Sequence, residues 1–255
     1  MEIPVKNLKS AATGSSLSFK HSVDLTSPIG IKWTNLGGQA AIGQAVSDVI
    51  GLADGIGQMQ LFALGAIFWS PAFGAVYMSE RVWRKWASAS VENRSTASGA
   101  NIQGFLGYPT DDTLREDRGD FVREWLYFER GMIFVGDAGS FVVYGDIYVH
   151  YRELGGLTGL LGVPVSDERP AAGGGRVSHF GGGDVYNHDG AGVHEVHGAI
   201  RLRYDDLGGP GGVLGYPTSD EESLLKAGVE IGRFNRFERG SGLCCGNSQS
   251  RISRA

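Results

Sequence analysis

One phrase occurs four times in this chain of 255 residues, and it limits the fold more than any other feature. IGQAVSD (42–48), LGYPTDD (106–112), LGVPVSDE (161–168) and LGYPTSDE (214–221) align on Gly43, Gly107, Gly162 and Gly215. The spacings are 64, 55 and 53 residues. A period of this size describes small units set in series, each burying its apolar face on a neighbour.

The flanking residues repeat in step. Upstream lie Trp33, Trp86, Tyr151 and Tyr204. Four positions before them stand Ile29, Val82, Ile147 and Ile200, and three positions after them Leu36, Ala89, Leu154 and Leu207. Apolar residues at i, i+4 and i+7 predict a short helix with one buried face. Gly-Gly follows in three of the four copies. It predicts a helix stop, because glycine takes the left-handed backbone there without strain. Downstream come Phe62, Phe128, Phe180 and Phe237, each three residues before a glycine. Met59, Trp125, Val177 and Phe234 stand three residues earlier still. Short apolar runs broken by Gly, Asp and Pro follow, as hairpins require. The expected fold is mostly β with short helices, an α+β repeat of four tandem units.

The units are placed at 29–79, 80–145, 146–198 and 199–255, after an N-terminal tail and strand at 1–28. The first is degenerate. The second holds an insertion, 88–101, whose serine-rich sequence predicts an exposed loop. LSFKHSVDL (17–25) alternates like a strand and precedes the first helix as GVHEVHG precedes the last. The last unit lacks its own such segment after Gly246. Strand 17–25 is therefore expected either to pair with the last unit and close a ring, or to cap the first unit of a row.

Composition excludes several function classes. A net charge of −5 argues against a nucleic-acid partner, which would need a basic face. The longest apolar run, 61–69, is too short to span a membrane. No signal-peptide h-region is visible at the start, which leaves the cytoplasm open. The two cysteines, Cys244 and Cys245, are adjacent, and a disulfide between neighbours would be strained, so free thiols are expected. They are too few to hold zinc. No cofactor or metal is expected.

LGYPTSDE, FERGS, GAIFWSPAFGA and VHEVHGAI, in this order and at this pitch, resemble the LGFP repeat family over about residues 29–245. The first copy departs from the pattern, with Gln44-Ala45 where aromatic-Pro is expected. The resemblance implies small β-rich units in a cell-envelope or secreted protein of mycolate-bearing actinobacteria. There it implies hold on the peptidoglycan–arabinogalactan wall.

The repeated Ser/Thr-Asp-Glu step (Ser47-Asp48, Asp111-Asp112, Ser166-Asp167-Glu168, Ser219-Asp220-Glu221) is read as turn capping rather than as catalytic carboxylates. The glycine phrase lacks the Lys-Ser/Thr of a phosphate loop. The third unit gathers His179, His188, His194 and His197 with Asp184 and Glu195. His194 and His197 fall where the family phrase itself has histidine. His188 would be the base of an enzyme, oriented by Asp184 or Glu195, with His179 a further candidate.

Aromatics that the repeat does not demand are the ligand candidates: Trp69, Trp125, Trp83 and Tyr186. Flat apolar rings with a polar edge suit sugar faces. The first functional expectation is a non-catalytic module binding cell-wall glycan or another carbohydrate. The alternative is an intracellular enzyme acting on a small molecule, with a pocket near the insertion or the histidine-rich third unit. The oligomeric state is left open.

Overall fold

The structure, a computed structural model, describes residues 21–92, 106–245 and 249–254. The chain opens with helices α1 (Pro28–Asn35) and α2 (Gly38–Ile42). Four four-stranded antiparallel meanders follow. The first is β1 (Ile50–Gly51), β2 (Gln58–Phe62), β3 (Gly65–Ser70) and β4 (Gly74–Ser79). Helix α3 (Glu80–Glu92) leads to β5 (Leu114–Asp117), β6 (Val122–Phe128), β7 (Gly131–Gly136) and β8 (Gly139–Tyr144). Helix α4 (Gly145–Glu153) leads to β9 (Arg169–Pro170), β10 (Arg176–His179), β11 (Gly183–His188) and β12 (Gly192–His197). Helix α5 (Gly198–Asp206) leads to β13 (Glu222–Lys226), β14 (Val229–Phe237), β15 (Gly240–Cys245) and β16 (Gln249–Arg254).

Each repeated residue now has a reason. Gly43, Gly107, Gly162 and Gly215 all sit at positive φ, between 66° and 82°, where a side chain would be strained. The helix aromatic bonds to that glycine's carbonyl: Trp33 Nε1 to Gly43 O at 3.0 Å, Tyr151 Oη to Gly162 O at 2.6 Å, Tyr204 Oη to Gly215 O at 2.8 Å. The same aromatic lies against the repeat phenylalanine, with Tyr151 and Phe180 stacked 4.4 Å apart. Helices α1, α4 and α5 stop at Leu36, Leu154 and Leu207, and the glycine after each is left-handed.

The apolar cores lie between sheets. One joins Met59, Phe68 and Met78 of the first sheet to Leu126 and Ile133 of the second. The next joins Met132 and Phe134 to Phe180 and Val185 of the third. Another joins Val177 and Val196 to Leu214 and Phe237 of the fourth. A sheet here is thus buried on a neighbour, as nearest-neighbour packing in a repeat protein requires.

Polar clasps cross the same boundaries. Asp112 Oδ1 accepts from the Tyr77 N–H of β4 at 2.8 Å, Asp167 Oδ1 from Val142 of β8 at 2.7 Å, and Asp220 Oδ1 from Glu195 of β12 at 3.0 Å. The expected turn capping belongs to the serines: Ser47, Ser166 and Ser219 Oγ accept from the N–H of Leu61, His179 and Arg236. The aspartates instead tie each unit to the one before it. These inter-unit bonds all join consecutive units, in a row.

Three expectations need correction. The last sheet has its own fourth strand, β16, paired with β15 from Cys245↔Gln249 to Gly240↔Arg254. The place that strand 17–25 would take in a ring is therefore filled. Residues 17–20 lie outside the described residues, and 21–25 form no strand, for no strand of the first sheet pairs with them. They cap the first unit instead: His21 Nδ1 lies 3.1 Å from Asp48, and Ser22 O accepts from Gln60 Nε2 at 3.0 Å. Finally, the start of the 88–101 insertion is helical. WASASVE carries no Gly-Gly stop, so α3 runs on to Glu92. Residues 93–101 lie outside the described residues, as does the thiol state of the two cysteines.

Candidate functional site

Three adjoining clefts open along the boundary between the second and third units. Their volumes are about 500, 310 and 600 Å³. Arg152 borders all three. Tyr127 borders two, and so do Tyr148 and Glu129.

The local fold dictates this grouping. Tyr148 and Arg152 are four residues apart on α4 and so share a helix face. The Arg152 guanidinium carbon lies 5.7 Å from the Tyr148 ring centre. Tyr127 sits on β6 one residue before the buried Phe128, on the opposite side of the strand. Trp125, two residues back, points to the same side as Tyr127 and closes the smallest cleft with Leu157 and Thr158. Phe73, from the turn between β3 and β4 of the first unit, meets Thr110 and Asp111 of the second there.

Tyr148 is 4% exposed. Burial raises its pKa, with the charge of Arg152 and a hydrogen bond to it pulling the other way, so the phenol keeps its proton. Among the described residues, no ion pair holds Arg152, whereas Arg176, Arg201, Arg233 and Arg236 are paired with carboxylates.

Of the four aromatics expected to meet a ligand, Trp125 alone lines these clefts. Trp69 is half-buried against a cluster within the first unit, Ile29, Phe62 and Ile67, beside Trp33 and Tyr77. Trp83 stacks on Trp86 at 5.1 Å. Tyr186 is 3% exposed, with its hydroxyl 3.4 Å from Asp184.

The third unit's histidines divide among separate partners. His179 Nδ1 lies 2.5 Å from Asp184, across the β10–β11 pair. Asp184 is fully buried and also accepts from Arg201 Nε at 2.8 Å, while Arg169 meets the other nitrogen of His179. Both members of this dyad are thus occupied. His188 is bonded to neither Asp184 nor Glu195. It stacks on Tyr216 at 4.2 Å, and its Nδ1 is 3.9 Å from Glu238. Glu195 holds His197 Nδ1 at 2.7 Å instead. Among the described residues, no group of three metal-ligating side chains has the spacing for a metal ion.

Sequence reasoning passed over Tyr127, Tyr148 and Arg152. A signal was present: Tyr148 aligns with Gly30, Trp83 and Arg201, and Tyr127 with Leu61, His179 and Arg236. Neither aromatic is demanded by the repeat, the same criterion that selects Trp69 and Trp125.

No helix among the described residues is long and apolar enough to cross a membrane. No curated protein matches the chain. Among solved structures, a match is found to the extracellular domain of a putative one-component system from B. thetaiotaomicron. Identity is 13%, the TM-score is 0.19, and the alignment covers 76% of this chain and 22% of that one. A score this low carries no argument. The LGFP repeat matches at residues 42–93, 106–159 and 161–212, which together make up more than half of the chain. Each match starts at the glycine turn and ends just past the following helix, so the family's unit is turn, sheet, helix. With the turns, sheets and clasps recurring in that phase, the chain belongs to the LGFP repeat family.

Proposed function

We propose that this chain is a non-catalytic repeat module that holds carbohydrate, of the cell-wall glycan type, in the clefts between its second and third units. The observation that carries the reading is the meeting of Tyr127, Tyr148 and Arg152 at one place, the guanidinium lying against the Tyr148 ring. Aromatic faces take sugar C–H faces, and a few fixed polar groups set the orientation. The family's implied place at the cell envelope fits the same reading. The His179–Asp184 pair is tied up by Arg169 and Arg201, and His197 by Glu195, so the geometry favours binding over turnover.

Co-sedimentation with insoluble actinobacterial cell wall tests it. The intact protein is expected to pellet saturably. Tyr127→Ala with Arg152→Ala should lose most of that binding, while Trp69→Ala, away from the clefts, should keep it. A well-folded protein that stays in the supernatant would reject the reading.

A further inference from the structure

We infer that the three clefts are consecutive subsites of one groove, and that its ligand is a neutral, linear glycan segment at least three sugar rings long. The inference rests on the carbohydrate reading of the clefts and adds length and charge to it. It comes from the walls that the clefts share.

The cleft of about 500 Å³ shares Tyr127 and Arg152 with the one of about 310 Å³, and Glu129, Tyr148 and Arg152 with the one of about 600 Å³. Those two share Arg152 alone. The overlap of walls therefore puts the 500 Å³ cleft in the middle of a row. Each cleft alone falls in the range of about 300–1,000 Å³ that a small ligand fills, and three in a row suit a chain of like pieces. Each also has an aromatic face for a sugar ring: Trp125 in the smallest, Tyr127 with Phe73 in the middle one, Tyr148 in the largest. The middle cleft draws on three units, with Phe73 from the first, Tyr127 from the second and Arg152 from the third. A ring seated there bridges all three.

The polar lining sets the charge. Asp111, Glu129, Asp146 and Glu153 stand against Arg130 and Arg152. Carboxylates accept hydrogen bonds and guanidiniums donate them, and a sugar hydroxyl does both. With no surplus of positive charge, the lining gives an anion no advantage over a neutral ring. The other boundaries do not repeat this set. At the third, Tyr127, Tyr148 and Arg152 align with His179, Arg201 and Asp205. There His179 and Arg201 both bond to the buried Asp184, and Arg201 Nε lies 3.8 Å from Asp205. These side chains hold one another at the positions that border open space at the second boundary. At the first, the same positions are Leu61, Trp83 and Ala87, with neither a carboxylate nor a guanidinium among them. The chain is thus expected to take one segment rather than one per boundary.

The test is a length series read by titration calorimetry on the full chain. The probes are β-1,4-linked N-acetylglucosamine oligomers and galactan oligomers, each from one ring to six. For at least one series, every ring up to the third should tighten binding by about two- to tenfold, the scale of one aromatic contact. Longer oligomers should gain little more, at one oligomer per chain. Raising the salt should leave the affinities unchanged, since no charge pair forms. Trp125→Ala should remove the gain of one ring and leave the single sugar's affinity as it was. Phe73→Ala, at a surface turn where the ring is 37% exposed, checks the middle subsite without touching the core and should weaken the three-ring ligand by a similar step. A single sugar that binds as tightly as the three-ring oligomer would overturn the inference and leave the carbohydrate reading standing. So would a stoichiometry of two or more sugars per chain, or affinity that falls steeply with salt. If no oligomer binds while the protein still pellets with cell wall, the ligand is not a neutral linear glycan and this inference alone fails. If the protein does neither, the carbohydrate reading falls and takes this inference with it.

Discussion

The Lys32 ammonium and the Asp112 carboxylate lie 2.6 Å apart across the boundary between the first and second units. The bond recurs. Lys85 reaches Asp167 at 2.6 Å, and His150 Nε2 lies 3.0 Å from Asp220. In each case the basic residue directly precedes the helix aromatic, and the aspartate follows the next unit's proline turn. One oxygen of Asp112 and Asp167 takes the cation and the other a strand N–H; at Asp220 a single oxygen meets both. The clasp therefore aligns a helix, a strand edge and a turn at once, and sets the pitch of the row.

Removing the clasp at an inner boundary should cost more than removing its counterpart at the exposed start. Asp167→Ala strands the Val142 N–H and the mostly buried Lys85. A loss of about 2 kcal/mol is expected for such a charge-assisted pair. Asp48 aligns with Asp167 but is 85% exposed and meets only His21. Asp48→Ala should leave the urea midpoint nearly unchanged. Equal losses at the two sites would show that the clasp does not carry the stability of the boundary.

The third boundary differs from the others in its response to pH. The hydrogen bond that His150 donates to Asp220 raises the histidine's pKa against the effect of burial, and the bond to Glu195 does the same for His197. A histidine with a raised folded-state pKa contributes fully below its unfolded value and loses that contribution as pH rises through the folded one. Asp220 is pushed up by burial but brought lower overall by His150 and by the Glu195 N–H, so its contribution disappears only on strong acidification. The fourth unit should thus dock most firmly in mild acid and loosen above neutrality, while the lysine clasps of the other boundaries hold. Hydrogen-exchange protection of β12 and β14 should fall between about pH 6 and pH 8.5 more than that of β3 and β7. His150→Lys should remove most of the difference. Uniform protection loss in all four sheets would refute it.

What the sequence disclosed depends on whether a residue serves its own unit. The turn glycines, the helix aromatics and the repeat phenylalanines bond within their unit, so spacing alone exposed them. The aspartates serve the unit before, and nothing local in Ser166-Asp167 points to Val142. The capping segment shows both sides. Its alignment with GVHEVHG was legible, and Ser22 O takes the Gln60 amide as Glu195 O takes Asn235. Its lack of strand pairing was not legible, because alternation records a buried face and not the presence of a neighbour. The clefts were hidden for a further reason. Tyr127 and Tyr148 lie in different elements, and in a sequence both look like core.

The tyrosine of the glycine turn gives a last test of how units recognise one another. Tyr216 Oη donates to Ala172 O at 2.6 Å and accepts from the Gly175 N–H at 2.9 Å, closing the β9–β10 hairpin of the preceding unit. Tyr108 makes the matching reach to Asp54 in the β1–β2 loop. The third unit has Val163 at this position and makes no such bond. Tyr216→Phe keeps the ring, and with it the stacking on His188, but leaves a buried N–H and a carbonyl unpaired. It should cost about 1–3 kcal/mol and raise exchange at Gly175 before any other amide of the hairpin. Val163→Phe deletes no hydrogen bond and should not raise exchange at the β5–β6 turn. A Tyr216→Phe variant as stable as the intact protein would mean that ring packing alone, without the hydroxyl, holds the third and fourth units together.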